Sequence, residues 1–565
     1  MKRWTLKEVD QTEIKKLSET INVSPLIARL LIARGYDTEE KALKFLNPKY
    51  EDLHEPNLLK GMETAVARIL KAIDAKEKIL IWGDYDVDGT TGTVVLRKAL
   101  EILGGETGFH VPHRFKEGYG INIPALEQAK KDGFTLVISV DCGITSFEPV
   151  AWAKENGIDF IVTDHHLAKE EGNPDAFAVV NPNQAGCEYP DKNLAGVGVA
   201  FKVAHALLRE RGKEHLVPYF LKVVAIGTIA DVMKLTGENR AIVAIGLADL
   251  PKAKNFGLKA LMEVSDCREE MTSYHIGFRI APRINAAGRM DAAKHVVDLL
   301  EADSYRRARE LAEYLNNKNI ERQKVQKDIT ELALLETKDL ANNKFVVVTG
   351  KGWHRGVIGL AASRVAEKLH RPTIVISIDD EGMGHGSARS IANYHLLEGL
   401  DTCADVFEQY GGHAAAAGMK IQLENVDVLR EKMNEHAANI FSAEDLIPEI
   451  KIDAEILSSE LDLELVEALK QLEPFGMGNP KPVFVTDKLF LQGEPWIMKE
   501  KHLKLPLSDE EGRKFEAVWW DGVEKSAGQT LKPQTSIELA YTAEANTWQG
   551  NTRLQLVVRD LRITM

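Results

Sequence analysis

Four apolar runs, each closing on polar residues, constrain this chain more than any other feature. They are KILIWGDYD from Lys78, TLVISVDCG from Thr135, DFIVTDHH from Asp159 and FAVVNPN from Phe177. Helical segments separate them: TTGTVVLRKALEILG, PALEQAKKDG and EPVAWAKENG. A short run that is apolar without alternation must be covered on both faces, and helices between such runs supply the cover. The pattern predicts an α/β unit with a parallel sheet. The polar residues follow each run, at the carboxyl ends of the strands, where open α/β sheets bind their ligands.

Those ends carry an unusual set of side chains. The first run delivers Asp84, Asp86 and Asp88, the second Asp141, and the third Asp164, His165 and His166. Asp231 follows in KVVAIGTIADVM, which reads as a helix. A lone Asp after a strand is more often a helix cap. DVDG resembles part of a calcium loop but lacks the Glu that such a loop requires, and adjacent histidines can be surface residues. Capping does not explain three consecutive strands that all end this way. If the sheet is parallel, at least four carboxylates converge, and like charges that close stay ionised only beside a cation. Carboxylate oxygens suit a hard divalent metal, and an added imidazole favours Mn²⁺ alongside Mg²⁺. Two such metals clamp a phosphoryl centre and need one bridging carboxylate, for which Asp141, alone on its strand, is the candidate. This chemistry is phosphodiester or phosphoanhydride hydrolysis. The turn DGTTG opens a helix and adds backbone N–H groups for phosphate.

At 565 residues the chain is too long for one core. Residues 1–50 read as short helices, 51–303 hold the α/β unit just described, and 304–340 are a connecting helix that contains neither Gly nor Pro from Ser304 to Glu336. A second α/β unit fills 341–445, with FVVVTG, the loop GKGWHRG, the helix VIGLAASRVAEKL and TIVISI, then GHGSARS and GGHAAAAGM. In 446–565 five alternating strands, KLFLQG, HLKLPL, FEAVWW, SIELAYTAEA and TRLQLVVRDLRI, predict a small barrel of OB-fold type, with a turn at Gly550-Asn551. The net charge of −14 opposes a nucleic-acid partner only as a whole-chain sum, since binding uses local fields. Twelve Lys and Arg lie between Arg268 and Lys327, as either a basic surface or a solvated helix face. Phe115, Tyr119, Trp353 and Trp548 are candidate base-stacking residues, for each of which core packing is the commoner role. Four scattered cysteines make no CxxC pair, and neither a leader nor a membrane span is visible, so a cytoplasmic protein is expected.

At these residues the chain resembles the DHH phosphoesterase superfamily, and within it the RecJ exonucleases. The matching pieces are GDYDVDG (83–89), VDCGI (140–144), TDHH (163–166), NPN (181–183), GTIADV (227–232), APRINAAGRM (281–290), GWHRGVIG (352–359), GSARS (386–390), GGHAAAAG (411–418) and LEPFGMGNPKPVF (472–484). The resemblance implies a DHH catalytic domain, a long connecting helix, a DHH-associated domain and an OB-fold. It also implies a single-stranded-DNA exonuclease that works from the 5′ end, releases 5′-mononucleotides and serves repair and recombination. Candidate protein partners are a single-strand-binding protein or a helicase.

Carried over by position, the resemblance makes Asp86, Asp141, His165 and Asp231 the ligands of one metal, and Asp84 with Asp141 those of a second. His166 contacts the scissile phosphate, Asp164 orients His165, and Asp88 joins them in the catalytic set. Arg114, Arg289, Ser387 and Arg389 hold the 5′ end and nearby backbone, and His413 is a further backbone contact. Many smaller DHH phosphoesterases have a metal-binding His where this chain has Leu80, which leaves the second metal fewer ligands. The rival readings are a DHH phosphodiesterase for short oligonucleotides or cyclic dinucleotides, and a nonenzymatic DNA-binding scaffold.

Overall fold

The four apolar runs form neighbouring parallel strands. In a computed structural model that describes residues 2–113, 117–118, 120–267, 270–290, 293–337, 343–526 and 530–564, they are Lys78–Gly83, Phe134–Val140, Asp159–Thr163 and Ala178–Val180. A fifth strand, Glu106–His110, lies at the edge beside Lys78–Gly83, and every pairing in the sheet is parallel. The strand that comes second in sequence is therefore at the edge, and the first and third are neighbours. Chain direction across the sheet reverses between them, which opens a crevice at their carboxyl ends. Asp84 and Asp86 leave one side of that crevice and Asp141 the other.

Helices Val87–Ile102 and Gly196–Glu210 cover one face, through a core that includes Leu96, Leu100, Val140, Phe201 and Leu207. The connecting helix runs from Tyr305 to Glu336, 32 residues or about 48 Å at 1.5 Å per residue. Its first half (Ala308, Leu311, Leu315) packs into the catalytic lobe, and its second half (Ile329, Ala333) packs against Val346, Val348 and Ala361 of the next lobe. The segment's expected end at 340 falls outside the described residues. On its outer face Arg306 and Arg309 pair with Glu310, Glu313 and Glu263, so this part of the basic run is a solvated helix face. The second lobe has a five-stranded mixed sheet in which Met383–Arg389 lies between Thr373–Ile378 and Ala416–Gln422.

The last lobe is a barrel in which Phe484–Leu491 pairs with both Ser536–Trp548 and His502–Ser508. The five expected strands are all present, joined by two short ones, Ala454–Glu455 and Trp496–Met498. The expected turn is displaced by one residue. Trp548 pairs with Asn551, so the turn residues are Gln549 and Gly550, both at positive φ, as a tight hairpin requires. The first 50 residues are not purely helical. Arg3–Leu6 is a strand paired parallel with Glu449–Ile452, and Ile14, Leu31 and Phe45 share one core with Leu505, Leu539 and Tyr541 of the barrel.

Arg240 joins these parts. It is buried in the catalytic lobe, where its guanidinium lies 3.6 Å from the centre of the Phe45 ring and donates to the carbonyls of Phe45 (2.7 Å) and Glu473 (2.7 Å). Arg240→Leu leaves both carbonyls without a charged donor and should cost about 2–6 kcal/mol. A lowered urea midpoint for the barrel, read by the buried Trp519, is the expected result; an unchanged midpoint would show that packing alone holds the junction.

Candidate metal centre and cleft

Each acid reaches the crevice for a local reason. Asp86 is the N-cap of Val87–Ile102 and accepts from Gly89 N at 3.0 Å. The bland reading of this residue as a cap is therefore also true of it. Asp141 sits at φ 63°, a conformation uncommon for a residue with a side chain, immediately after its strand. The start of Gly196–Glu210 comes so close that a Cβ on Gly196 would lie 2.5 Å from the Asp141 Cβ, so only glycine fits there. Asp88, buried beneath, accepts from Gly196 N (2.6 Å) and Val197 N (2.8 Å) and fixes that helix end against the crevice.

Three groups of donors each lie within 4.8 Å: Asp84, Asp86 and Asp141; Asp88, His165 and Asp231; Asp141, His165 and His166. His165 Nε2 is 3.2 Å from Asp141 Oδ1, 3.5 Å from Asp231 and 3.8 Å from Asp88. Burial, reinforced by the neighbouring His166, lowers the pKa of His165 to about 4, so its ring is neutral and presents a lone pair. Asp141 Oδ1 is buried and accepts no hydrogen bond. Burial, with the charges of Asp88, Asp86, Asp84 and Asp231, pushes the Asp141 carboxyl well above its ordinary value. Lone pairs facing one another around an unsatisfied buried oxygen are the arrangement a cation resolves, and the O and N donors fit Mn²⁺ or Mg²⁺.

The two histidines differ. Asp164 Oδ1 accepts from the His166 ring at Nδ1 (2.8 Å), while from His165 it accepts only the backbone N–H (2.7 Å). The expectation that Asp164 orients His165 is thus corrected: it orients His166. The His165 ring instead faces the carboxylates of Asp141, Asp231 and Asp88. Burial works against a charged His166, but the bond to Asp164 and the charges of Asp164, Asp231 and Asp88 outweigh it and raise its pKa to about 9.

Above the acids opens a cleft of about 810 Å³, lined by Asp84, Asp86, Asp141, His165, His166 and Asp231 together with Arg289 and His413. His413 comes from the second lobe, so the cleft lies between lobes. Arg289 donates to Gly356 O of that lobe at 3.0 Å. Ser387 and Arg389 are not among the lining residues. They sit together (Arg389 Nη1 to Ser387 Oγ, 3.1 Å) at the start of helix Ile358–Leu369, where a Cβ on Gly359 would lie 2.9 Å from Ser387 Oγ. Arg114, Phe115 and Tyr119 lie outside the described residues. Trp353 packs against the backbone at Gly350, whereas Trp548 is 74% exposed at a hairpin tip, contrary to the commoner core role. Sequence reasoning assigned no role to Asn181 and Asn183, which donate to the carbonyls of His166 (2.9 Å) and His165 (2.6 Å). Their position at the end of the fourth strand was the available signal. Leu80 is buried within its strand.

The fold and site define a DHH-type phosphoesterase: residues 78–228 match the DHH family N-terminal domain, 342–439 the DHHA1 domain and 452–560 the RecJ OB domain. The chain is 40% identical to the single-stranded-DNA-specific exonuclease RecJ of Bacillus subtilis, over all of this chain and 71% of that one. It is 36% identical to the RecJ of Haemophilus influenzae, over 96% of this chain and 97% of the other. The crystal structure of Thermus thermophilus RecJ in complex with Mn²⁺ superposes with a TM-score of 0.84 at 29% identity, over 99% of this chain and 79% of that one. The chain belongs to the RecJ family of single-stranded-DNA-specific exonucleases.

Without a divalent cation the acids should make stability depend on pH. Burial and the Asp86 charge raise Asp88 to about 7, and burial with Asp88 and Asp86 raises Asp231 to about 9. A folded pKa above the unfolded one gives stability that is complete below the unfolded pKa and is lost as pH rises through the folded value. In EDTA the melting temperature should therefore fall between pH 6 and pH 9. Saturating Mg²⁺ should reduce that fall, because the cation binds the ionised acids of the folded state. Equal slopes with and without Mg²⁺ would show that these acids do not form its site.

Proposed function

We propose that this protein is a metal-dependent exonuclease that hydrolyses single-stranded DNA from the 5′ end to 5′-mononucleotides, in DNA repair and recombination. One observation carries the reading: the buried, unsatisfied Asp141 Oδ1 faces a neutral His165 at the base of a cleft that also receives Arg289 and His413. The relatives named above are single-stranded-DNA-specific exonucleases, and RecJ from Thermus thermophilus has been crystallised with Mn²⁺ and with Mg²⁺. Asp86, Asp141, His165 and Asp231 would hold one Mn²⁺ or Mg²⁺, and Asp84 with Asp141 a second, to which Leu80 adds no donor. Bound there, the cations supply positive charge that polarises the phosphoryl oxygens and eases the ionisation of water.

The chain's own residues do the rest. His166, protonated and steered by Asp164, donates to an oxygen of the scissile phosphate as negative charge builds there. Asp88 acts as a positioning residue, since its oxygens hold the amides of Gly196 and Val197. Arg289 and His413 grip the backbone. Ser387 and Arg389, beside a helix N-terminus, suit a terminal 5′-phosphate. Arg114 is assigned to the 5′ end by family resemblance alone. The long helix and the barrel favour a polymer substrate over a dinucleotide, and the intact acid set argues against a nonenzymatic scaffold. Among the described residues no helix is long and apolar enough to cross a membrane. We place the enzyme in the cytoplasm, where a helicase or a single-strand-binding protein would present the strand.

Asp141→Ala should abolish hydrolysis of a 5′-labelled single strand in Mn²⁺ while far-UV dichroism stays unchanged. Residual activity above a few per cent would refute the bridging role, and a preference of the parent enzyme for dinucleotides would favour the rival phosphodiesterase.

Arg389→Ala should impair 5′-phosphorylated strands about ten- to a hundredfold more than 5′-hydroxyl strands, the worth of a charged hydrogen bond. An equal loss on both substrates would move Arg389 to another point along the backbone.

A further inference from the structure

We propose that Asn181 and Asn183 are positioning residues with separate tasks: Asn183 sets the affinity of the site for its metal through His165, and Asn181 sets turnover through His166. This rests on the exonuclease reading above. His165 and His166 lie in a loop outside any helix or strand, where their backbone groups have no ladder to join. Asp164 Oδ1 accepts both of their N–H groups, at 2.7 and 3.1 Å. The two asparagines take the carbonyls: Asn183 Nδ2 donates to His165 O at 2.6 Å, and Asn181 Nδ2 donates to His166 O at 2.9 Å. Each histidine is therefore clamped on both sides of its own Cα. A backbone rotation that swings either ring breaks one of these bonds.

The asparagines are themselves fixed, so they aim the loop and do not follow it. Asn181 is fully buried directly after the strand Ala178–Val180, whose last carbonyl accepts from Asp164 N at 3.2 Å. Its Oδ1 accepts from Asn183 N at 2.7 Å, a side-chain turn that sets the direction of Asn183. Between them Pro182 has a restricted φ, and the Lys192 ammonium donates to its carbonyl at 2.7 Å and to Cys187 O at 2.6 Å. Buried Gln184 closes the segment by donating to Val179 O at 2.8 Å. Leu167, the residue after His166, is 73% exposed, so packing of its side chain does not hold the loop. The rings decide the division of tasks. His165 faces Asp141, Asp231 and Asp88, acids around the metal centre, so a turn of its backbone removes a donor from that centre. Asp164 engages Nδ1 of His166, which leaves Nε2 for the cleft, so a turn of its backbone moves the group that meets the phosphate.

The test separates metal binding from turnover. Metal-free protein is titrated with Mn²⁺, with the free ion read by electron paramagnetic resonance, and cleavage of a 5′-labelled single strand is timed at saturating Mn²⁺. Asn183→Ala should weaken Mn²⁺ binding about ten- to a hundredfold, and most of its lost turnover should return as Mn²⁺ is raised to saturation. Asn181→Ser keeps an oxygen that can accept from Asn183 N but is too short to reach His166 O. It should bind Mn²⁺ as the parent does and turn over about ten- to a hundredfold more slowly at saturation. Asn181→Asp, which keeps the acceptor and the size but not the donor, should show the same loss of turnover and replaces the serine variant if that one melts below the assay temperature. Unchanged Mn²⁺ affinity in Asn183→Ala, unchanged turnover in either Asn181 variant, or equal losses of affinity and turnover at both positions overturns the division. The Mn²⁺ titration uses no DNA. If the parent binds Mn²⁺ but leaves long single strands intact, the exonuclease reading fails; if it cleaves them and the variants do not separate, only the roles of the asparagines do.

Discussion

Mutual repulsion among buried carboxylates is the constraint around which this molecule is arranged. The strand order brings the ends of Lys78–Gly83 and Phe134–Val140 side by side, so Asp84, Asp86 and Asp141 share one crevice. The fold answers the crowding with dipoles and with the positive charges of His166 and Arg289. Asp88 takes two amides from a helix start, Asp86 takes one, and Asp164 takes amides and the His166 ring. Asp141 Oδ1 takes none. An unsatisfied buried oxygen costs about 1–3 kcal/mol, so the metal-free site carries a penalty that a divalent cation removes. Binding and folding are therefore linked through the residues that would serve catalysis.

On the proposed reading, the second demand is to face those acids with groups that could hold a polyanion. No Lys or Arg among the described residues of the sheet loops meets it. Arg289 comes from a later helix and His413 from another lobe, and the 32-residue helix sets the separation of the two lobes. Its ends are anchored in different cores, so cleft width follows from packing at both ends and not from a flexible linker. Arg240 has the corresponding role on the far side. Its donors go to carbonyls of the N-terminal segment and of the barrel linker, and it stays charged, although burial lowers its pKa to about 10.

The parallel sheet was legible because period and polarity coincide: continuous apolar runs with acids only at their ends admit few other folds. The long helix was legible from the absence of Gly and Pro, and the barrel from alternation. The strand Arg3–Leu6 was not, because RWTL is too short to carry a period and forms by pairing with residues more than 400 positions away. The turn at Gln549-Gly550 was misplaced by one residue because both Gly-Asn and Gln-Gly admit positive φ, and strand register makes the choice. Convergence of the acids could be read from their strand ends, but their hydrogen-bond partners could not. Asp88 meets amides 108 and 109 residues further on, a pairing that no local spacing encodes.

The adjacent histidines show why local spacing fails at the finest level. His165 and His166 share one loop, yet one is driven neutral, to about 4, and the other is held protonated, to about 9. The difference lies in where each ring points. His165 is deeply buried next to a positive His166, and both effects favour loss of its proton; a neutral imidazole is the form that ligates metal. His166 is more open and has the Asp164 carboxylate at 2.8 Å, which favours the imidazolium. Each state supports the other, since a proton on His166 lowers the proton affinity of His165. On the proposed reading, adjacent residues with separated pKa values would provide a ligand and a donor at one point of the chain, a division of roles that two identical environments would not give.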